Sequence, residues 1–166
     1  MPDETIIPAL VEIPKGSRNK YEYDDERDRI RLDRVLYSPV HYPADYGIIL
    51  DTLAEDGDHL DVLIVTHEPT FPGCLVPVRI VGALDMRDEK GRDQKLLAVP
   101  AVDPRFAEVH ELSDLSPHFL AEIEHFFQVY KTLEEKTTHV LGWKGLDEAW
   151  RVLREARARY ERNEHA

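Results

Sequence analysis

The sequence predicts an α+β chain that is mainly β, one domain over residues 1–166, with an antiparallel or barrel-like sheet followed by two main helices in the C-terminal half. Three observations carry that expectation. Short runs rich in β-branched and aliphatic residues succeed one another between Gly, Pro and Asp punctuation. The gaps between most of them are too short for a crossover helix, which disfavours a doubly wound sheet. Helical periodicity begins only after Ser116.

In chain order the expected strands are Ile6–Ile13, Lys20–Tyr23, Ile30–Asp33, Leu60–Val65, Leu75–Leu84 and Lys95–Val99. Ser116-Pro117 then reads as an N-cap with proline at the first helical position. Behind it Phe119, Leu120, Ile123, Phe126, Phe127 and Tyr130 recur at helical spacing. A second helix is expected from Leu146 to Tyr160, with Trp150, Leu153 and Tyr160 on its apolar side. Its charged residues (Arg151, Arg154, Glu155, Arg157, Arg159) read as a solvated face or an oligomer contact. No repeat, low-complexity tract or Gly/Ser linker divides the chain.

Composition excludes several function classes. The formal charge of −12 argues against binding nucleic-acid backbones or anionic membranes. No apolar run approaches the length of a bilayer span, and the acidic N-terminus does not read as a secretory signal. The single cysteine, Cys74, cannot form an internal disulfide, fits a reducing compartment and reads as a packing residue. A cytoplasmic location is expected. An anionic substrate stays possible, because clustered acids hold divalent cations that present positive charge to a phosphate.

The most informative segment is Glu55-Asp56-Gly57-Asp58-His59-Leu60-Asp61-Val62-Leu63. Gly57 permits a sharp turn, and Asp61 enters an apolar strand. In extended geometry Asp56 and Asp58 point the same way. Carboxylates held about 5 Å apart repel by about 3 kcal/mol per pair at an effective dielectric near 20. Solvent, protonation or a cation must relieve that, and oxygen-only ligands suit magnesium, manganese or calcium. A solvated Asp-Gly turn is the plain alternative. An EF-hand loop is excluded: started at Asp56, its glycine position falls on Asp61 and its twelfth on His67.

A second acidic group, Asp85, Asp88, Glu89 and Asp93, read alone, is a polar hairpin between strands. Lys20, Arg34, Lys95 and Lys131 supply cations for phosphate oxygens, and Tyr42, Tyr46 and Tyr130 supply neutral donors. Together these are the inventory of metal-assisted phosphoryl transfer. No Walker-type loop and no Gly-x-Ser-x-Gly elbow is present, so water is the expected nucleophile.

Asp56-Gly57-Asp58-His59-Leu60-Asp61-Val62 resembles the Asp-x-Asp-x-x-Asp signature of family I soluble inorganic pyrophosphatases of the bacterial type. Around it, in matching order, stand Glu12-Ile13-Pro14, Lys20-Tyr21-Glu22, Asp33-Arg34 and Tyr42-Pro43-x-x-Tyr46-Gly47. Asp88-Glu89-x-x-x-Asp93-x-Lys95 and His125-Phe126-Phe127-x-x-Tyr130-Lys131 follow, so the similarity spans roughly Glu12 to Trp143. The resemblance implies an OB-like distorted five-stranded β-barrel, a homohexamer, and hydrolysis of pyrophosphate to two phosphates with several Mg²⁺ ions, replaceable by Mn²⁺. It implies Asp56, Asp61 and Asp93 as ligands of a first metal, with Asp61 shared with a second. Asp88, Asp93 and Glu22 are implied for metals arriving with substrate, and Asp58 as the general base for water. Lys20, Arg34, Tyr130 and Lys131 would clamp the leaving phosphate, with Lys95 and Tyr46 lining the site. Glu12, Glu89 and Tyr42 match further active-site positions.

Some residues depart from that pattern. His59 stands where proline is common and, lying between ligands, is expected to face away from them. His41 precedes Tyr42 where an apolar residue is frequent and is read as a packing or surface residue. Arg87 and Arg92 flank the second acidic turn and are read as modulators of the later metals. Two rivals remain: another Mg²⁺-dependent phosphohydrolase acting on nucleotides or phosphoesters, and a non-catalytic OB-type module that binds nucleic acid.

Overall fold

The computed structural model describes residues 3–164. Strands β1 (Ile6–Ile13), β4 (Asp45–Ile49), β5 (Leu60–Ile64), β8 (Lys95–Pro100) and β6 (Leu75–Asp88) pair in that order, and β6 returns to β1, closing a five-stranded barrel. Outside the ring, β2 (Asn19–Asp24) and β3 (Arg29–Val35) form a separate hairpin, while β7 (Gly91–Arg92) and β9 (His139–Lys144) add to the far end of β6. Helices α1 (Pro117–Val129) and α2 (Leu146–Glu164) complete the fold.

All six expected strands and both helices form, and three further strands appear: the two-residue β7 within the polar hairpin, and β4 and β9, which the pattern did not suggest. Strand β4 lies in the Tyr42-to-Gly47 motif and is buried along its whole length, so it lacks the alternation that marks a half-exposed strand. Strand β9 follows the helical region and turns on Gly142 at φ +122°. The sheet is also mixed: β5 runs parallel to β8, with Asp61 opposite Lys95. The parallel pair needs no crossover helix because β6 itself spans the return; it pairs antiparallel with β8 and bends at a bulge between Ile80 and Gly82.

Strands β4, β5 and β8 bury both faces, as do the second half of β1 and the middle of β6. Alternate residues of β5 divide between two apolar clusters, Leu60, Val62 and Ile64 in one, Leu63 with neighbouring Val65 in the other. The first cluster takes Ala149, Val152, Leu153 and Ala156 of α2; the second takes Ile123, Phe126 and Phe127 of α1. Helix α1 starts as expected, with Ser116 accepting from the Phe119 amide at 3.4 Å and Pro117 in its first turn. Helix α2 runs past Tyr160, which is half-buried at the edge of the cleft described below and not in the core. Close strand packing makes Gly47 obligatory: a Cβ there would lie 2.0 Å from the Leu10 carbonyl oxygen.

Candidate active site

A cleft of about 950 Å³ opens beside the barrel, and fourteen of the fifteen residues singled out from the sequence line it. Glu12 comes from β1, Lys20 and Glu22 from β2, and Arg34 from β3. Tyr46 comes from β4, Asp56 and Asp58 from the turn entering β5, and Asp61 from β5 itself. Asp88, Glu89, Asp93 and Lys95 stand on and after the β6–β7 hairpin, while Tyr130 and Lys131 follow α1.

The exception is Tyr42. Its ring is 1% exposed and packs between Tyr46 and Phe126, at centroid distances of 5.4 and 4.7 Å. Tyr42 belongs to the core that supports Tyr46 and does not reach the cleft. Burial pushes its hydroxyl well above the ordinary tyrosine range.

At the floor, Lys95 is 2% exposed and its ammonium is fully engaged. Nζ donates to Tyr46 OH at 2.8 Å, to Asp61 Oδ2 at 3.1 Å and to Asp93 Oδ2 at 3.1 Å. Burial opposes its charge, but the Asp61 and Asp93 carboxylates outweigh that and hold it well above the usual lysine value. Its position follows from register: the parallel β5–β8 pair sets Lys95 directly beside Asp61. Asp61 itself is raised by burial, with Lys95 opposing and Asp93 adding to the rise.

The acid turn is a tight, Asp-stabilised loop. Asp56 Oδ1 accepts from the Asp58 amide at 3.0 Å, and Gly57 sits at φ +94°. Asp56 and Asp58 therefore share the cleft because the chain turns, and not through the extended alternation expected. Burial raises the Asp56 carboxyl, and the charges of Asp58 and Asp93 raise it further. The turn also redirects His59. Expected to face away, it lines the cleft, with Nε2 2.8 Å from Asp25 Oδ1 and Nδ1 3.2 Å from the Thr52 carbonyl.

On the hairpin wall Lys20 Nζ lies 2.6 Å from Glu22 Oε1, and Arg34 pairs with Asp33 at 2.7 Å and Glu134 at 2.9 Å. Opposite them Lys131 Nζ is 3.6 Å from Asp88 and 3.8 Å from Glu89. Behind, Glu12 is 7% exposed and Oε2 accepts from the Tyr23 amide at 2.8 Å. Burial pushes its carboxyl up to about 8 despite that bond.

Sequence reasoning missed several lining residues, among them Asp25, Asp51, Lys90, Lys136 and Glu164. All are single polar residues in turns or at a helix end, where no local pattern separates a lining side chain from a solvated one. Arg87 and Arg92, expected beside the later metals, do not line the cleft. Arg92 instead faces buried Asp85 at 3.4 Å, and Asp85 too lies outside the cleft.

Twelve carboxylates and only six lysine or arginine side chains line the cleft. A phosphate-bearing anion entering it meets net repulsion unless cations come with it. The donor set, carboxylate oxygens with no cysteine, fits hard divalent cations. Among the described residues no three acids or histidines are already drawn together around a metal-sized point; Asp61 and Asp93 converge on the Lys95 ammonium.

Such a closed barrel, with an acid-rich cleft and basic side chains on both walls, defines the class: a small β-barrel protein whose cleft suits a phosphate-bearing anion accompanied by cations. Residues 9–161 match the family model described as Inorganic pyrophosphatase. A Methanosarcina acetivorans protein named inorganic pyrophosphatase is 54% identical over 96% of this chain and 95% of its own. One from Geobacillus stearothermophilus is 51% identical over 95% and 96%. Among solved structures, the Helicobacter pylori inorganic pyrophosphatase superposes with TM-score 0.93 at 41% identity, covering 96% of this chain and 95% of the other. That of Thermus thermophilus gives TM-score 0.93 at 43% identity, covering 97% and 94%. The chain belongs to the inorganic pyrophosphatase family, hydrolases of the phosphoanhydride bond.

Proposed function

We propose that the protein hydrolyses inorganic pyrophosphate to two orthophosphates with Mg²⁺, and that water is the nucleophile. One observation carries the reading: fourteen residues assigned by motif, from distant parts of the chain, line a single cleft. The excess of acids there is unsuited to a bare polyanion and suited to one accompanied by cations.

In this reading Asp56, Asp61 and Asp93 hold resident Mg²⁺, with Asp88 and Glu22 taking ions that enter with substrate; Mn²⁺ is an alternative occupant. Bound there, divalent cations acidify water and neutralise phosphate oxygens. Asp58, on the exposed part of the acid turn, takes the proton from the attacking water as general base. Lys20, Arg34 and Lys131 bind the oxygens of the departing phosphate, and Tyr130 adds a neutral donor. Lys95 and Tyr46, linked at 2.8 Å, hold Asp61 and the floor in place. Glu12 and Glu89 complete the acid lining from behind β2 and from the β6–β7 turn.

The same reading includes a single domain spanning 1–166, supported by the family match over 9–161. It also includes a cytoplasmic homohexamer acting on a small-molecule substrate, with no nucleic-acid or membrane partner. No helix among the described residues is long and apolar enough to cross a membrane.

Phosphate release from pyrophosphate and from ATP, each with Mg²⁺, tests the substrate. Turnover is expected with pyrophosphate and far less with ATP; equal turnover would favour a general phosphohydrolase. Salt-sensitive oligonucleotide binding without phosphate release would instead favour a binding module.

A further inference from the structure

Two walls of the cleft meet through His59 and Asp25. Asp25 lies in the turn of the β2–β3 hairpin, whose strands pair only with each other. His59 closes the acid turn. The carboxylate of Asp25 accepts from His59 Nε2 at 2.8 Å, and the Thr52 carbonyl faces Nδ1 at 3.2 Å. Among the described residues no other side-chain hydrogen bond joins the hairpin turn to the acid turn. A two-stranded ribbon has little stability of its own, so where its tip sits depends on its tethers.

We propose that the His59–Asp25 pair is a positioning latch. It fixes the distance between the hairpin wall, which carries Lys20 and Arg34, and the acid turn, which carries Asp56 and Asp58. The proposal rests on the pyrophosphate reading of this cleft. Both partners line the cleft, and neither is among the residues assigned to metal ions or phosphate oxygens. Asp25 is 63% exposed, so the pair adds little to global stability, while small displacements of binding groups weaken substrate capture strongly. Proline at position 59 would stiffen the acid turn but leave the hairpin turn without a side-chain link to it; histidine supplies that link, while Tyr23 and Arg34 are held by Glu12 and Glu134 elsewhere.

The test compares His59→Ala, Asp25→Ala and the double variant with His59→Gln, which keeps a donor. KM and kcat for pyrophosphate with Mg²⁺ are measured, together with hydrogen exchange of residues 24–29 in substrate-free protein. Each alanine variant is expected to raise KM roughly threefold to tenfold with kcat within about twofold, and the double variant to match either single one. His59→Gln recovers most of the lost affinity, and hairpin-turn exchange accelerates only in the alanine variants. Unchanged KM, additive effects or unchanged exchange overturn the latch. Asp25→Ala alters only an exposed side chain, so it keeps the test decisive even if a His59 variant folds poorly. A wild-type protein inactive on pyrophosphate overturns the functional reading instead, and the exchange measurement then judges the latch alone.

Discussion

Replacing Lys95 by methionine removes the one ammonium that separates Asp61 from Asp93, while keeping a side chain of similar length in a site 2% exposed. Removing one partner of a buried ion pair typically costs about 3–5 kcal/mol, because the remaining charge is left without compensation. Asp61 and Asp93 keep 22% and 11% side-chain exposure, which places the expected loss near the lower end, about 3 kcal/mol in metal-free protein. For a chain of this length that is a fall in Tm of roughly 6–12 °C. A divalent cation held by the same carboxylates replaces the missing charge, so saturating Mg²⁺ should remove much of the difference. Thermal unfolding of both proteins in EDTA and in Mg²⁺ measures this. A loss below about 1 kcal/mol, or an equal loss in both conditions, would refute the view that Lys95 is the resident counter-charge of the metal-binding acids.

Asp58→Asn should lower kcat by about 10²–10⁴-fold while leaving the unfolding curve unchanged, as loss of a general base does; near-normal turnover at neutral pH removes Asp58 from that role. Glu12, pushed up to about 8 from 4.5, binds a proton in the folded state over that window. Metal-free protein should therefore be most stable below about pH 4.5 with respect to this group. It should lose at most about 5 kcal/mol as pH rises through 8, and Glu12→Gln should flatten the dependence, as read by urea unfolding with EDTA. Gly47→Ala should prevent folding or strongly reduce soluble yield, since its Cβ would lie 2.0 Å from a backbone oxygen; a wild-type circular dichroism spectrum and Tm would contradict the register of β1 on β4.

Much of this fold was legible because most strands carry their own punctuation and the first helix carries Ser116 and Pro117. Strand β4 was not legible, since Asp45–Ile49 is buried on both faces and shows no period-two pattern. The parallel β5–β8 pairing was hidden for another reason: nothing within either strand records which neighbour it meets, and the β6 return replaces the helix that usually signals it. For the site, residue type and motif order selected the lining side chains well. They failed where orientation decides. Tyr42 and Tyr46 carry the same chemistry four residues apart, yet one ring is sealed in the aromatic core and the other reaches Lys95. His59 was misplaced because the Gly57 turn breaks the alternation on which its outward orientation depended.

The central claim is that the cleft lined by these fourteen residues takes pyrophosphate together with Mg²⁺. A crystal structure with Mg²⁺ and a non-hydrolysable pyrophosphate analogue tests it most directly. The account predicts ions on Asp56, Asp61 and Asp93, and analogue oxygens within hydrogen-bond reach of Lys20, Arg34 and Lys131. Analogue bound outside this cleft, or in it without any ion on those three aspartates, would contradict the account.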